Sequence, residues 1–253
     1  MKFEQLDRRM RVFETAHDHC VLPGIHMVAR IDGRSFSHLT RVAQAFDAPY
    51  DVRFRDMMVE TLTHVMGCGF STLYGYTQSD ELNVLFRRDE AAFGRKLRKL
   101  DSILAGEASG KLSLLLGTPA AFDCRISQLP TEDDVVDYFR WRHEDAHRNA
   151  LNAHCYWLLR RQGRTDHEAT KELSGVSVAG RNELLFRNGI NFNDIPSWEK
   201  RGIGCYWEDV PHEGTNPHTG ATQLSTRRHV KVDLELPMKD AYDAFVRAIV
   251  VRQ

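Results

Sequence analysis

Two short acidic stretches hold the residues of this chain best able to do chemistry. One, Arg30-Ile31-Asp32-Gly33-Arg34-Ser35-Phe36-Ser37, leaves an apolar run through an acid and a glycine. The other, Thr77-Gln78-Ser79-Asp80-Glu81-Leu82-Asn83-Val84-Leu85-Phe86, sets two adjacent acids directly before a run that heads into a core. A carboxylate just past a strand end stands at a sheet edge, and two of them on adjacent strands can share hard cations. Mg2+ takes oxygen ligands at about 2.0–2.1 Å and leaves its other places to water and phosphate. The Asp32 and Asp80 side chains, with the Gly33 carbonyl, are therefore candidate ligands for two Mg2+ ions. Paired metals about 3.5–4 Å apart stabilise both the attacking and the leaving oxygen of phosphoryl transfer. The backbone amides of residues 32–37 could wrap a triphosphate. Asp-Gly and Ser-Asp are also ordinary turn pairs, so it is their combination that points to phosphoryl chemistry.

A different pattern competes with this one. His143-Glu144-Asp145-Ala146-His147 satisfies HExxH on an expected helix, which would offer two imidazoles to zinc with a glutamate as general base. Glu168, Glu172 and Glu183 lie downstream as third-ligand candidates, while Arg140 and Arg142 set positive charge against a divalent cation there. Two basic runs stand out as well: Arg87, Arg88, Arg95, Lys96, Arg98 and Lys99, then Arg140, Arg142, Arg148, Arg160, Arg161 and Arg164. Each reads as a patch for RNA or as a solvated helix face.

The elements that must position these residues follow from periodicity. A strand is expected over 25–31, ending at Asp32-Gly33. A helix is expected over 48–66, with Pro49 in its first turn, Val52, Met58, Val59, Leu62 and Val65 at helical spacing, and Gly67 and Gly69 beyond its end. The runs "FSTLYGYTQ" and "ELNVLF" read as a β-hairpin with its corner at Ser79-Asp80. A helix over 90–105 and a strand at "AAFDCRISQL" complete a split βαβ order, an α+β antiparallel sheet with helices on one face. Thr131 and Asp134 form a capping-box pair before a long helix marked by Val135, Phe139, Ala146, Ala150, Ala153 and Trp157 and closed at Gly163. Beyond Ser174 only strands at "GCYWEDV" and "RHVKVDLEL" and a helix from about Lys239 are placed. The division expected is a catalytic region over 1–135, with the long helix and C-terminal extension, 136–253, packed on it.

Composition narrows the class. At 253 residues, 42% hydrophobic and 27% charged, the chain reads as a globular protein with a sizeable core. It has no apolar run of 18 residues and no signal-peptide pattern at its start, so no membrane partner is expected and the cytoplasm is the expected address. Five scattered cysteines indicate neither a disulfide framework nor a zinc ribbon. A net charge of −1 excludes coating of nucleic acid by bulk electrostatics, although not a local basic surface.

Five motifs in register then carry a resemblance. "RIDGRSF", "YTQSDELNVLF", "FDCRI", "WRHEDAHRNALNAHCYW" and "AGRNELLF" with "GINFND", spread over 25–203, resemble the tRNA(His) guanylyltransferase family and its 3′→5′ polymerase-like relatives. The resemblance implies a fold like the palm of ordinary polymerases. It implies a two-Mg2+ site at Asp32, the Gly33 carbonyl and Asp80, with Glu81 completing a catalytic Ser-Asp-Glu set. GTP, and ATP as an activating nucleotide, would lie along residues 32–37 and against Ser79 and Asp80. Arg30, Lys96, Lys99, His147, Asn149, Asn152 and Arg181 would contact phosphate or RNA, the substrate being the 5′ end and acceptor stem of tRNA, handled by a homotetramer.

On the same resemblance HEDAH is a coincidence, since His147 and Asn149 fall on the family's HINNLYN segment. That segment stands here as His147-Arg148-Asn149-Ala150-Leu151-Asn152-Ala153 and keeps only His, one Asn and Leu. Ala48 stands for a lysine, Ser37 for a histidine and Arg181 for a lysine, departures that look like the branch repairing 5′-truncated tRNA by templated addition. The rival readings are a zinc peptidase and a catalytically silent RNA-binding protein. Two carboxylates facing phosphate disfavour the latter, because a surface that only binds would repel its ligand there.

Overall fold

The computed structural model describes residues 1–36, 39–40, 45–215 and 222–251. Six strands form one sheet: β1 (His26–Gly33), β2 (Thr72–Gln78), β3 (Glu81–Phe86), β4 (Phe122–Leu129), β5 (Ile203–Thr215) and β6 (Thr222–Asp233). Their order is β4-β1-β3-β2-β5-β6, with each neighbouring pair antiparallel. The first four strands make the split βαβ unit; β5 joins it along residues 203–206 and carries β6 beyond. The described helices are α1 (Phe3–Thr15), α2 (Val52–Met66), α3 (Leu97–Leu116), α4 (Glu132–Arg161), α5 (Asp166–Leu173), α6 (Val178–Arg187), α7 (Ser197–Arg201) and α8 (Asp240–Val250).

Strand alternation sorts the side chains to two covered faces. Met27, Ala29, Ile31, Leu82, Val84 and Phe86 point to α2 and α3, where Met58, Leu62, Val65, Leu100, Leu104, Ala108 and Leu112 supply helical stripes. Val28, Tyr74, Tyr76 and Leu85 point the other way, to Val135, Phe139 and Ala146 of α4 and Tyr242, Val246 and Ile249 of α8. Covering both faces explains why every residue of β3 is buried. The second half of α4 runs on past the sheet and builds a third core with α5 and α6, through Ala150, Cys155, Leu158, Ala169, Leu173 and Leu185. Among the described residues no helix is long and apolar enough to cross a membrane.

Two helix limits differ from those the sequence predicts. Helix α2 begins at Val52, not at Ala48, because the Asp51 carboxylate caps it by accepting from the Arg53 N–H; Pro49 precedes the cap. The expected helix over 90–105 is a short 3-10 turn at Ala92–Arg95 followed by α3. Phe93, Gly94 and Arg95 take positive φ, at 54°, 62° and 57°, while the Arg95 guanidinium reaches back to the Arg88 and Ile25 carbonyls. The helix then runs through Gly106 and Gly110 to Leu116, since its buried stripe outweighs the weak propensity of glycine.

Candidate active site

The end of β1 and the β2–β3 corner are joined by register. Asp32 stands opposite Glu81, and the Gly33 N–H donates to the Asp80 carbonyl at 3.0 Å. The corner itself is the pair Ser79-Asp80, with Ser79 in the left-handed region at φ 55°. Alternation from Val28 and Leu85 puts Arg30, Asp32, Glu81 and Asn83 on the sheet face that α4 covers. Gly33 has no room for a side chain: a Cβ there would stand 2.5 Å from the Phe36 ring, which is buried against Phe54 and Phe122.

Over these residues lies a cleft of about 360 Å³. The sheet side contributes Arg30, Asp32, Tyr76, Gln78, Ser79, Asp80 and Glu81; α4 contributes Arg142, Asp145, Ala146, Asn149, Ala153 and Trp157, one stripe along the helix. Four carboxylates therefore face two guanidiniums. Those guanidiniums are already engaged. Arg142 binds Glu81 as a fork at 2.7 and 2.8 Å and reaches Asp145 at 3.1 Å, and Arg30 reaches Glu81 at 2.7 Å. Asn83 also donates to Glu81, at 2.8 Å, and is itself held by the Tyr138 hydroxyl at 2.7 Å.

Asp32 and Asp80 are in a different condition. The Asp32 side chain is 31% exposed and has only long contacts, to Arg30 at 3.3 Å and Arg125 at 3.4 Å. Asp80 has no ion pair among the described residues. Burial pushes its carboxyl up, against hydrogen bonds from its own backbone and Ser79 that lower it, and the charges of Asp32 and Glu81 add to the rise. Two half-buried carboxylates with too little counter-charge, side by side at a strand end and a corner, are the donor set that a divalent cation satisfies.

A smaller chamber, about 150 Å³, adjoins across the Ser79-Asp80 wall. Phe36, Phe54, Met58, Trp198 and Ile203 give it apolar surface, and Thr77, Gln78 and Arg55 give it polar groups, while Tyr50, Pro49 and Trp157 face both spaces. Gln78 is fixed by the Glu199 carbonyl at 2.9 Å. The two spaces together join a strongly charged cleft to a partly apolar chamber, a concave site with room for a small charged ligand.

The remaining residues singled out in the sequence are scattered. Asn149 lines the acid cleft and donates to Asp145 at 3.2 Å; Asn152 is exposed on the next flank of α4 and does not line it. His147 lies edge-on to Phe192 outside the cleft lining, and burial lowers its pKa. Arg181, on α6, bonds the Leu173 carbonyl at 3.3 Å. Ser37 lies outside the described residues. Lys96 and Lys99 begin α3, where Arg88 and Arg95 tie the chain to the Gly24 and Ile25 carbonyls at the start of β1. That is the end of β1 away from Asp32, about 20 Å along the strand. Lys96 bonds Asp18 at 2.8 Å and Arg98 shares the same carboxylate, so much of this basic run fastens the chain to itself.

The zinc motif is corrected by its surroundings. His143 is buried and stacked on Tyr242 at 4.2 Å, and burial pulls its pKa down to about 4, with Arg201 and His147 adding to the fall. Glu144 faces solvent near Arg140. The helix uses the two histidines of HExxH for packing.

Comparison with known proteins agrees with this arrangement. The family described as tRNAHis guanylyltransferase matches residues 7–130, and that described as Thg1 C terminal domain matches residues 133–242. The chain belongs to the tRNA(His) guanylyltransferase family. It is accordingly a nucleotidyltransferase. It is 30% identical over 237 residues to a probable tRNA(His) guanylyltransferase of Dictyostelium discoideum, covering 88% of this chain and 91% of that one. With a Drosophila melanogaster relative of the same description it is 33% identical over 195 residues, 73% of this chain and 68% of the relative. Among solved structures, a bacterial tRNA(His) guanylyltransferase-like protein in complex with ATP superposes with a TM-score of 0.74 at 25% identity, covering 97% and 99% of the two chains.

Sequence reasoning about this tRNA(His) guanylyltransferase family member reached the cleft's helical wall only at Asn149. Arg142 counted there as part of a basic run and as charge set against a metal at HEDAH, whereas the structure makes it the forked partner of Glu81. Two signals pointed to it: alternation sets Glu81 and Asn83 on one strand face, and 142, 145, 149 and 153 share one helical stripe. Tyr50, Trp157 and Trp198 had no comparable signal, because their chamber is assembled from four separate segments of the chain.

Proposed function

We propose that this chain adds nucleotides to the 5′ end of tRNA in the 3′→5′ direction, with GTP favoured. The observation that carries the reading is the placement of Asp32 and Asp80, both half-buried and neither with a close counter-charge, on a cleft with excess negative charge in a chain of this family. Asp32, Asp80 and the Gly33 carbonyl would hold two Mg2+ ions, which when bound would neutralise phosphoryl charge and lower the pKa of an attacking hydroxyl. The backbone from Gly33 through Ser35 and the Ser79 corner would cradle the triphosphate, and the adjoining chamber would take the nucleoside. Glu81 acts by position: it holds Arg30 and Arg142 against the cleft wall. The incoming nucleotide's 3′-hydroxyl then attacks the activated 5′ phosphate of the RNA and displaces pyrophosphate from a 5′ triphosphate, or AMP from an adenylylated 5′ end, so that the chain's task is to align the two and exclude bulk water. Asn149 and Arg30 lie where the 5′ phosphate would arrive. Lys96 and Lys99, at the far end of the sheet, would meet the RNA away from its 5′ end, and their basic side chains would set part of the salt dependence.

The departures at Ala48, Ser37, Arg181 and within His147–Ala153 favour templated 5′ repair over addition of a single extra G. The test supplies tRNA(His), full-length or lacking its first nucleotide, each as 5′ mono- and triphosphate, with Mg2+ and one nucleoside triphosphate at a time, and resolves products on a sequencing gel. Template-directed extension of the shortened RNA is the expected result. G added to the full-length RNA alone would assign guanylylation as the main task, and no addition to either would reject the reading.

A further inference from the structure

Helix α1 has an apolar stripe with nothing behind it. None of its thirteen residues is buried, and Phe3, Leu6, Met10 and Phe13 are 78, 39, 48 and 72% exposed. These four recur at spacings of three, four and three, the a and d positions of two heptads, and so fall on one stripe. Val12 alone among the helix's apolar residues lies off it. A helix of this length is marginal in water unless its apolar face is packed.

The charges beside the stripe are sorted by sign. Arg9 takes a g position and Lys2, the N-cap residue, stands just before the first a position, while Asp7 and Glu14 take the e positions. When two such helices pair in parallel, each g faces the partner residue five places further on, at e. Lys2 then meets the partner's Asp7 and Arg9 meets the partner's Glu14, and two-fold symmetry makes each contact twice. An antiparallel pair would set g beside g and e beside e, like charge against like. Within the helix Arg11 already bonds Asp7 at 2.8 Å, an exposed pair that leaves the second carboxylate oxygen available.

From this stripe and its flanking charges we infer that α1 pairs in parallel with α1 of a second copy of the chain, as a two-heptad coiled coil about a two-fold axis along the helix. The inference is independent of the nucleotidyl reaction. It assigns the stripe to self-association and fixes direction and register.

Disulfide capture in the full-length chain tests it, in a Cys20→Ser background that removes the nearest native exposed thiol. Met10→Cys, at an a position on the axis, forms a linked dimer under mild oxidation at least tenfold faster than Arg8→Cys on the outer face. Adding Leu6→Asp, which touches no core, abolishes that link. Arg9→Glu or Glu14→Arg alone slows it, and the two together restore it. Equal linking of Met10→Cys and Arg8→Cys overturns the pairing, and faster linking on Arg9→Glu alone overturns the parallel direction. Binding to phosphatidylserine vesicles without a Met10→Cys link would give the stripe to lipid and overturn the proposal as well.

Discussion

Both ends of β1 are crowded with charge, and they use it differently. At its start, Asp18 takes Lys96 and Arg98, which hold its carboxyl well below the usual range, and Arg95 gives its guanidinium to backbone carbonyls. At its end, four carboxylates face two guanidiniums, and the Asp80 carboxyl is pushed up. A charge set that balances itself acts as a fastener. One left unbalanced, and partly shut off from water, holds a field that a cation or a phosphate-bearing ligand can complete.

The contrast breaks most severely at Asp80. Asp80→Asn lowers single-turnover nucleotide addition by about a thousandfold, the scale of losing one preorganised electrostatic group. Without added metal the same variant melts higher at neutral pH, by roughly 2–4 °C. The sign follows from linkage: a carboxyl whose pKa rises on folding favours the folded state at low pH and loses that advantage as pH rises through its folded pKa. The gain on Asp80→Asn therefore shrinks as pH falls through the carboxylate range. Full activity in a folded Asp80→Asn protein would remove Asp80 from the site.

Glu81 and Arg95 sharpen the comparison from the stability side. Glu81→Ala leaves Arg30 and Arg142 beside each other without their shared anion and costs about 3 kcal/mol in urea unfolding. Arg95→Ala forfeits two charged bonds to carbonyls and costs about 2 kcal/mol, with KM for the nucleotide unchanged because its position is remote from the cleft. A raised KM in Arg95→Ala would contradict the division of labour between the two ends.

Lys99 carries the smallest effect. Its ammonium sits 5.9 Å from the Phe93 ring and makes no ion pair among the described residues. Lys99→Ala lowers the slope of log binding constant against log salt for tRNA by about one and leaves the rate at saturating RNA unchanged. An unaltered slope would mark the lysine as a solvated helix residue.

The alternating runs at 26–33, 72–78 and 81–86 made the sheet's centre legible, and the Thr131 and Asp134 pair located the start of the long helix. Asp32 and Asp80 could be placed because strand ends carry their own turn chemistry. What stayed hidden depends on distant partners. The break at Phe93–Arg95 exists because a guanidinium finds a carbonyl seventy residues back along the chain, which no local propensity encodes. Helices α5 and α6 are short and bury few residues of their own, so their weak periodicity gave no reading until the overhanging end of α4 supplied a core. HEDAH shows the reverse hazard, a motif matched in letters and used for packing.

Helix α8 closes the sheet face that bears Tyr74, Tyr76 and Leu85, with Tyr242 bonded to Tyr74 and Phe245 packed on it. During synthesis on the ribosome those strands emerge some 160 residues before the helix that seals them. The face must wait, half sheltered by α4, until residues 240–250 have been made. Nascent chains stalled before residue 240 will therefore present this aromatic surface to chaperones and to one another, and the enzyme becomes competent only as its last described helix docks.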